Sequence, residues 1–181
     1  MPKPGHLFRP PAPRLLVRPP MRATFSDISR LRYFSREEIP GWEYMSLRTL
    51  RLLDKMRHED GETQGWYFKI LSAFRPVEEG RASTHGYKAS DGGLIAEAID
   101  GVMLDKKTHK PLLLVRQYMI ALRWPWAGIG LYPYWTLETD GVKEPYPGLH
   151  LDTRACKPTE KRPRWFRNVV GEYRPIEEFT W

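Results

Sequence analysis

Two hydrophobic periods run along the chain, one of two residues and one of about three and a half, and each marks a different element. From Gly148 to Arg154, GLHLDTR, apolar and polar side chains alternate, which predicts a strand with Leu149 and Leu151 on one face and His150 with Asp152 on the other. Trp66 to Ala73, WYFKILSA, is rich in aromatic and branched residues and reads as a buried strand. Leu94 to Leu104 is apolar around Asp100, and Ile129 to Tyr132 is a short apolar run; both read as strands. The helical period appears after Ser46: Leu47, Leu50, Leu53 and Met56 fall on one stripe and Arg48, Arg51 and Lys55 on another. This predicts a helix capped by Ser46, running to about His58 and stopped by Asp60-Gly61. Ser35 with Glu38 forms a capping-box pattern flanked by Phe34 and Ile39, so a short helix is expected to stop at Pro40. Pro111 at a first helical position is expected to open a mostly apolar, buried helix from Leu112 to Leu122, ended by Trp124-Pro125-Trp126. Tyr134 to Pro147 reads as a long loop, and Val169 to Trp181 carries no period that predicts an element.

Composition bounds this picture. A chain of 181 residues with 41% hydrophobic and 13% aromatic residues is a folded protein with one sizeable core rather than a disordered one. The formal charge of +7 draws it to polyanions, which include nucleic acid, anionic lipid and the phosphate-bearing parts of cell walls. Residues 1 to 22 hold five Lys or Arg, no acid and many prolines, so they read as an extended or polyproline-type arm. Such an arm is either a tail or a segment that docks on a partner and orders only in an assembly. The single cysteine, Cys156, excludes an internal disulfide framework and a four-cysteine zinc site. No apolar run reaches the roughly eighteen residues of a membrane span, and the longest run before the first Pro-Pro after the arm's middle is Leu15 to Val17, too short for a secretory core. Synthesis in a cytoplasm without export by the general route is the expectation.

Candidate chemistry gathers in three motifs: AGIGLYP, Ala127 to Pro133; GLHLDTR; and RPRWFR, Arg162 to Arg167. Together they resemble the end of the catalytic domain in zinc peptidases of the D-Ala-D-Ala carboxypeptidase and murein endopeptidase superfamily. In that family a G-G-V-G-Y-Y-P stretch precedes F-V-H-V-D-T-G and a terminal R-x-W. Upstream, YFSREE, a helix, a strand and then SAFRP are similar to the family's F-T-R-E-E-F, helix and I-I-I-T-S-G-Y-R-S. The resemblance spans roughly residues 31 to 167. It implies an α+β fold of the hedgehog/DD-peptidase kind, a small, mostly antiparallel sheet packed by helices. That single domain would occupy residues 23–168, between the arm at 1–22 and a C-terminal extension at 169–181.

The same resemblance implies site residues. His150 matches the strand histidine that ligates zinc, and Arg75 matches the arginine that pairs with a substrate carboxylate. The family's S-x-H-x-x-G-x-A-x-D pattern is met in its first half by Ser83-Thr84-His85, making His85 a second ligand. Its aspartate has two placements. Asp91 stands among Ser90, Gly92 and Gly93, a loop composition, whereas Asp100 lies in an apolar run that continues as Val102-Met103-Leu104. Asp100 is preferred, because a strand holds a ligand rigidly. With Asp100 and no insertion, the histidine position would fall on Gly93 and the site would be broken.

A hydrolytic zinc site takes three protein ligands and leaves a fourth position for water, a count that His85, Asp100 and His150 meet. Two nitrogens and one oxygen suit zinc better than magnesium. His6, His58 and His109 read as surface residues. A peptidase also needs a carboxylate to move the proton of water. In the relatives it sits three residues before the last histidine, where this chain has Pro147. Glu144 is the nearest acid upstream and the candidate base, while Asp152 is placed to orient His150.

The function implied is a zinc-dependent peptidase cutting stem-peptide or cross-link bonds with D-amino acids in peptidoglycan. With no signal peptide in view, delivery by a phage is expected, as a lysis enzyme or as a tail or virion component bound through the arm. The alternative is a catalytically silent structural or wall-binding virion module of the same fold, suggested by Pro147 and the interrupted middle motif. Nucleic-acid binding ranks below both, since charge with Trp and Tyr is its whole support and no recognition-motif spacing is present.

Overall fold

The computed structural model describes residues 20–76, 83, 85–89, 92–139, 142–154 and 162–181. Most of the Pro-rich arm with His6, and also Thr84, Asp91 and Cys156, lie outside the described residues.

The described strands, in chain order, are β1 (Trp66–Ser72), β2 (Tyr87–Lys88), β3 (Leu94–Ile95), β4 (Ala98–Asp105) and β5 (Gly128–Tyr132). They continue with β6 (Thr136–Thr139), β7 (Val142–Pro145), β8 (Gly148–Asp152), β9 (Arg164–Arg167) and β10 (Tyr173–Pro175). Helices α1 (Phe25–Ile28), α2 (Leu47–Met56), α3 (Glu62–Gln64) and α4 (Leu114–Leu122) complete the set. Six strands form one sheet in the order β1-β4-β8-β5-β9-β10, while β2-β3 and β6-β7 are separate hairpins. Every pairing in the large sheet is antiparallel except β5 with β9. The chain is therefore α+β with a mixed sheet and few helices. No helix among the described residues is long and apolar enough to cross a membrane.

Period-two alternation sorts the sheet into two faces. On one, Ile99, Ile129, Leu131, Leu149 and Leu151 are fully buried against Leu50, Leu53 and Met56 of α2 and Ile120 of α4. The other carries the polar residues Asp100, His150 and Asp152. The α2 stripe is the one the sequence predicts. Its N-terminus differs: Ser46 Oγ makes no hydrogen bond among the described residues, and the first helical N–H donates to the Met21 carbonyl instead. Asp60-Gly61 does not stop the helix either. The backbone widens to a π turn over Arg57–Gly61 and runs through α3 to Gly65, whose φ of 72° ends it.

Three other expectations are corrected. Ser35 to Pro40 forms turns rather than a helix, although Ser35 N–H does donate to Glu38 at 2.9 Å and Phe34 and Ile39 are both buried. The full capping box is at Thr24 and Asp27, on α1. The helix after Pro111 starts only at Leu114, because Pro111 bridges to Leu104 and Leu112 N–H donates to Met103, extending the sheet first. Nor is α4 buried all round. It presents Gln117, Ile120 and Ala121 inward and leaves Val115, Met119 and Leu122 exposed. Gln117 is buried without penalty, since it accepts from Met103 N–H and donates to the carbonyls of Leu112 and Pro147.

The expected loop from Tyr134 to Pro147 contains the exposed β6-β7 hairpin. The segment expected as an extension, 169–181, supplies β10, the edge strand of the main sheet. It is held there by rings: Phe166 meets Phe179 at 5.0 Å and Tyr118 of α4 meets Trp181 at 5.3 Å between centroids.

Candidate metal centre

The register of the sheet places the site. Asp100 on β4 pairs with His150 on β8, which pairs with Gly130 on β5, which pairs with Trp165 on β9. One row across four strands thus holds an acid, an imidazole, a gap and an indole. The gap is required: a Cβ on Gly130 would stand 2.2 Å from the Trp165 ring. Two residues earlier, a Cβ on Gly128 would stand 2.1 Å from Asp152 Oδ2. The alternate glycines of AGIGLYP are thus the space that Trp165 and Asp152 occupy. Trp165 lies 5.2 Å from the His150 ring between centroids.

His85 reaches the row from the segment after β1. Its backbone carbonyl accepts from Arg75 N–H at 2.9 Å, and its Nδ1 donates to the Ala73 carbonyl at 2.7 Å. A carbonyl only accepts, so the proton sits on Nδ1 and the Nε2 lone pair turns inward. His150 is oriented in the mirror sense. Its Nε2 faces Asp152 Oδ2 at ion-pair distance, 3.3 Å, while Nδ1 faces inward. Asp152 is held by Arg154 at 2.9 Å.

Three electron-pair donors therefore converge: His85 Nε2, His150 Nδ1 and Asp100 Oδ1, all on buried residues. Their separations are 3.2 Å between the imidazoles, 3.1 Å from His85 to Asp100 and 2.8 Å from His150 to Asp100. Ligand atoms about 2.1 Å from one tetrahedral ion would stand about 3.4 Å apart, so the triangle is close to that size. Each imidazole also has the outer acceptor that metal-bound histidines require. The donor set fits a zinc-sized divalent cation.

Without a metal, a proton must do the same work. Burial alone would lower the His150 pKa, but hydrogen bonds to Asp100 and Asp152 outweigh it and hold the imidazole above its ordinary value. Burial likewise opposes ionisation of Asp100 and Asp152. His150 and His85 overcome it for Asp100, and His150 and Arg154 for Asp152, leaving both carboxyls below their usual range.

His85 and His150 line an open cleft of ≈ 600 Å³, with Asp100 fully buried behind them. Arg75 stands at the cleft edge, donating to the second oxygen of Asp100 and, from Nε, to Ser72 Oγ at 2.8 Å. Tyr132 lies beside Asp100, with its hydroxyl 3.4 Å from Oδ1. Burial and the nearby Asp100 charge push its phenol pKa well up, so it stays protonated and can donate.

The structure thus brings His85, Asp100, His150 and Arg75 together and sets Asp152 behind His150. Glu144 lies on exposed β7 and is not among the residues lining the cleft. His58 bonds to Tyr33 and His109 to Tyr67, both away from the triad. Tyr132, Arg154, Arg164 and Trp165 also line the cleft, and all four lie inside the three motifs singled out in the sequence. Tyr173 and Arg174 had no local signal, because they reach the cleft only through the pairing of β10 with β9.

No protein-family model, curated protein or solved structure matches the chain.

Proposed function

We propose that the chain is a zinc-dependent peptidase of the hedgehog/DD-peptidase fold, acting on peptidoglycan peptide bonds that involve D-amino acids, and that a phage delivers it. The observation that carries this reading is the triangle of two imidazole nitrogens and one carboxylate oxygen, whose two histidines line a cleft. His85, Asp100 and His150 would hold the zinc, which when bound polarises a carbonyl and lowers the pKa of water to about 7. Ala73 and Asp152 keep the two imidazoles in the tautomers that ligation needs. Arg75 bonds one oxygen of Asp100 and exposes half of its side chain to the cleft, where its guanidinium can pair with a substrate carboxylate. Tyr132, held protonated, can donate a hydrogen bond to charge developing on the substrate.

One observation favours a second reading. Among the described residues lining the cleft there is no Asp or Glu to serve as base, and Glu144 is elsewhere. A wall-binding or virion module of the same fold would need none. Metal analysis and muropeptide chromatography after incubation with sacculi separate the two. The peptidase yields one zinc per chain and new muropeptides, both lost in His150→Ala. Zinc with unchanged muropeptides supports the silent module, and neither zinc nor cleavage overturns the metal-centre reading.

A further inference from the structure

Helix α4 is apolar on two sides, and the sheet covers one of them. At about 3.6 residues per turn, Gln117, Ile120 and Ala121 point into the core, while Val115, Met119 and Leu122 fall together on the outer side. These three are 43%, 58% and 42% exposed, and Leu113, just before the helix, is 76% exposed. Tyr118 borders the stripe on one flank and meets Trp181, itself 58% exposed, at 5.3 Å between ring centroids. Arg116 and Arg123 border it on the other flank. Apolar residues scattered singly over a surface are ordinary, but a contiguous stripe with an aromatic flank marks a contact. From Lys106 to Arg123 the chain holds Lys106, Lys107, Lys110, Arg116 and Arg123 and no acid. The acids that face this segment come from elsewhere. Glu62 meets Lys106 at 2.6 Å, Asp60 meets Arg123 at 3.1 Å, Asp105 acts on Lys107 and Glu177 stands near Tyr118. Lys110 and Arg116 make no ion pair among the described residues.

We propose that the outer face of α4 docks on an anionic lipid surface, with Val115, Met119, Leu122 and Trp181 seated among the headgroups and Lys110 and Arg116 against the phosphates. This goes beyond the peptidase reading and holds whether or not the metal centre cuts peptides. An interfacial helix needs an apolar side, a basic flank and aromatic rings with one polar tip, and α4 with Trp181 and Tyr118 supplies all three. Charge selects this occupant over two others. The arm at 1–19 holds Lys3, Arg9, Arg14 and Arg18 and no acid, so it meets like charge on the flank of α4. A second copy brings the same basic flank and the same net charge of +7, a sum that includes the undescribed residues. Anionic headgroups meet both requirements at once, since each basic residue near such a surface adds attraction. The placing of α4 in the fold then orients the molecule. It packs on the sheet face of Leu149 and Leu151, opposite to His150, so a bilayer seated on α4 leaves the cleft facing away from the lipid.

The test is co-sedimentation of the full chain with vesicles of phosphatidylcholine alone and of phosphatidylglycerol and phosphatidylcholine in equal parts, at about 0.1 M salt. Binding is expected to be about tenfold or more tighter on the anionic vesicles. Met119→Gln combined with Leu122→Gln should weaken it by about tenfold with the far-ultraviolet circular dichroism unchanged, since both side chains are exposed. Arg116→Gln should weaken it by about fivefold. Val142→Gln, on the exposed β6-β7 hairpin, should change nothing. Brominated lipid should quench Trp emission, and less so after Trp181→Phe. Absence of binding, or equal binding to both vesicles, overturns the proposal. Anionic binding that survives the paired Gln substitutions belongs to the basic arm and overturns it too. So does a lipid-free dimer that those substitutions dissociate, which would give the stripe to a second copy. No readout here involves cleavage, so failure of the peptidase reading is scored separately, on muropeptides.

Discussion

At the scale of single residues, the site depends on atoms that hold other atoms. Asp152 is not one of the three converging groups, yet it faces His150 Nε2 at 3.3 Å while Nδ1 points to the other two. Asp152→Asn is therefore expected to weaken zinc binding by about 10- to 100-fold while leaving the far-ultraviolet circular dichroism unchanged. His85→Ala removes a candidate ligand, and equilibrium dialysis should find less than one zinc per ten chains where one per chain is expected of the unmodified protein, a loss of roughly tenfold or more in occupancy. Gly130→Ala works through space rather than charge. Its Cβ would stand 2.2 Å from the Trp165 ring, which must shift, so a destabilisation of about 1–3 kcal/mol and a changed Trp emission spectrum are expected. An unfolding curve and spectrum identical to the unmodified chain would mean that the indole does not lie over β5. These residues were legible to different degrees. Asp152 shares a strand face with His150 by simple alternation, so its role could be read from spacing. The roles of the two glycines could not, because the side chains that fill their space come from β8 and β9.

At the scale of elements, agreement was closest where the pattern is set by near neighbours. The stripe of α2 and the alternation of β8 depend on residues two to four positions apart, and both are found as read. Helix α4 departs from its reading because an apolar composition does not say which side meets the sheet. Met119 and Ile120 are adjacent and similar in hydropathy, but Met119 is 58% exposed and Ile120 is 2% exposed. Urea unfolding should separate them: Met119→Gln within about 0.5 kcal/mol of the unmodified chain, and Ile120→Ala lower by about 2–5 kcal/mol. Equal costs would place α4 inside the core after all. The start of α4 was misplaced for a related reason, since Pro111 suits a first helical turn and a sheet edge alike and Leu104 claims it for the sheet.

At the scale of the whole molecule, the candidate metal centre couples folding to pH. In the metal-free chain the raised pKa of His150 contributes stability below its unfolded value near 6.5, and this is lost as pH rises through the higher folded value. Asp100 and Asp152 act the other way. Their lowered pKa values contribute above the unfolded value of about 3.9, and that contribution is lost as pH falls below it. The metal-free chain should thus be most stable between about pH 4 and 6.5. Zinc needs both imidazoles free of the extra proton, so its stabilisation should grow as pH rises from 5.5 to 8, approaching about 4 kcal/mol at a thousandfold excess over Kd. Thermal melts with and without zinc across that range check the sign, and a zinc effect larger at pH 5.5 than at pH 8 would contradict it. By itself, the sequence determined the strands and helix whose periods are local and the placing of His150 with Asp152 on one face, and the resemblance of short motifs supplied a set of candidate metal ligands. Only the tertiary structure decided that Asp100 stands in register with His150, that β9 runs parallel to β5, and that residues 173–175 close the cleft with Tyr173 and Arg174. The reason is that side-chain period is fixed by backbone geometry within one strand, whereas register and burial are fixed by partners tens of residues away, which compete for the same hydrogen bonds and the same core.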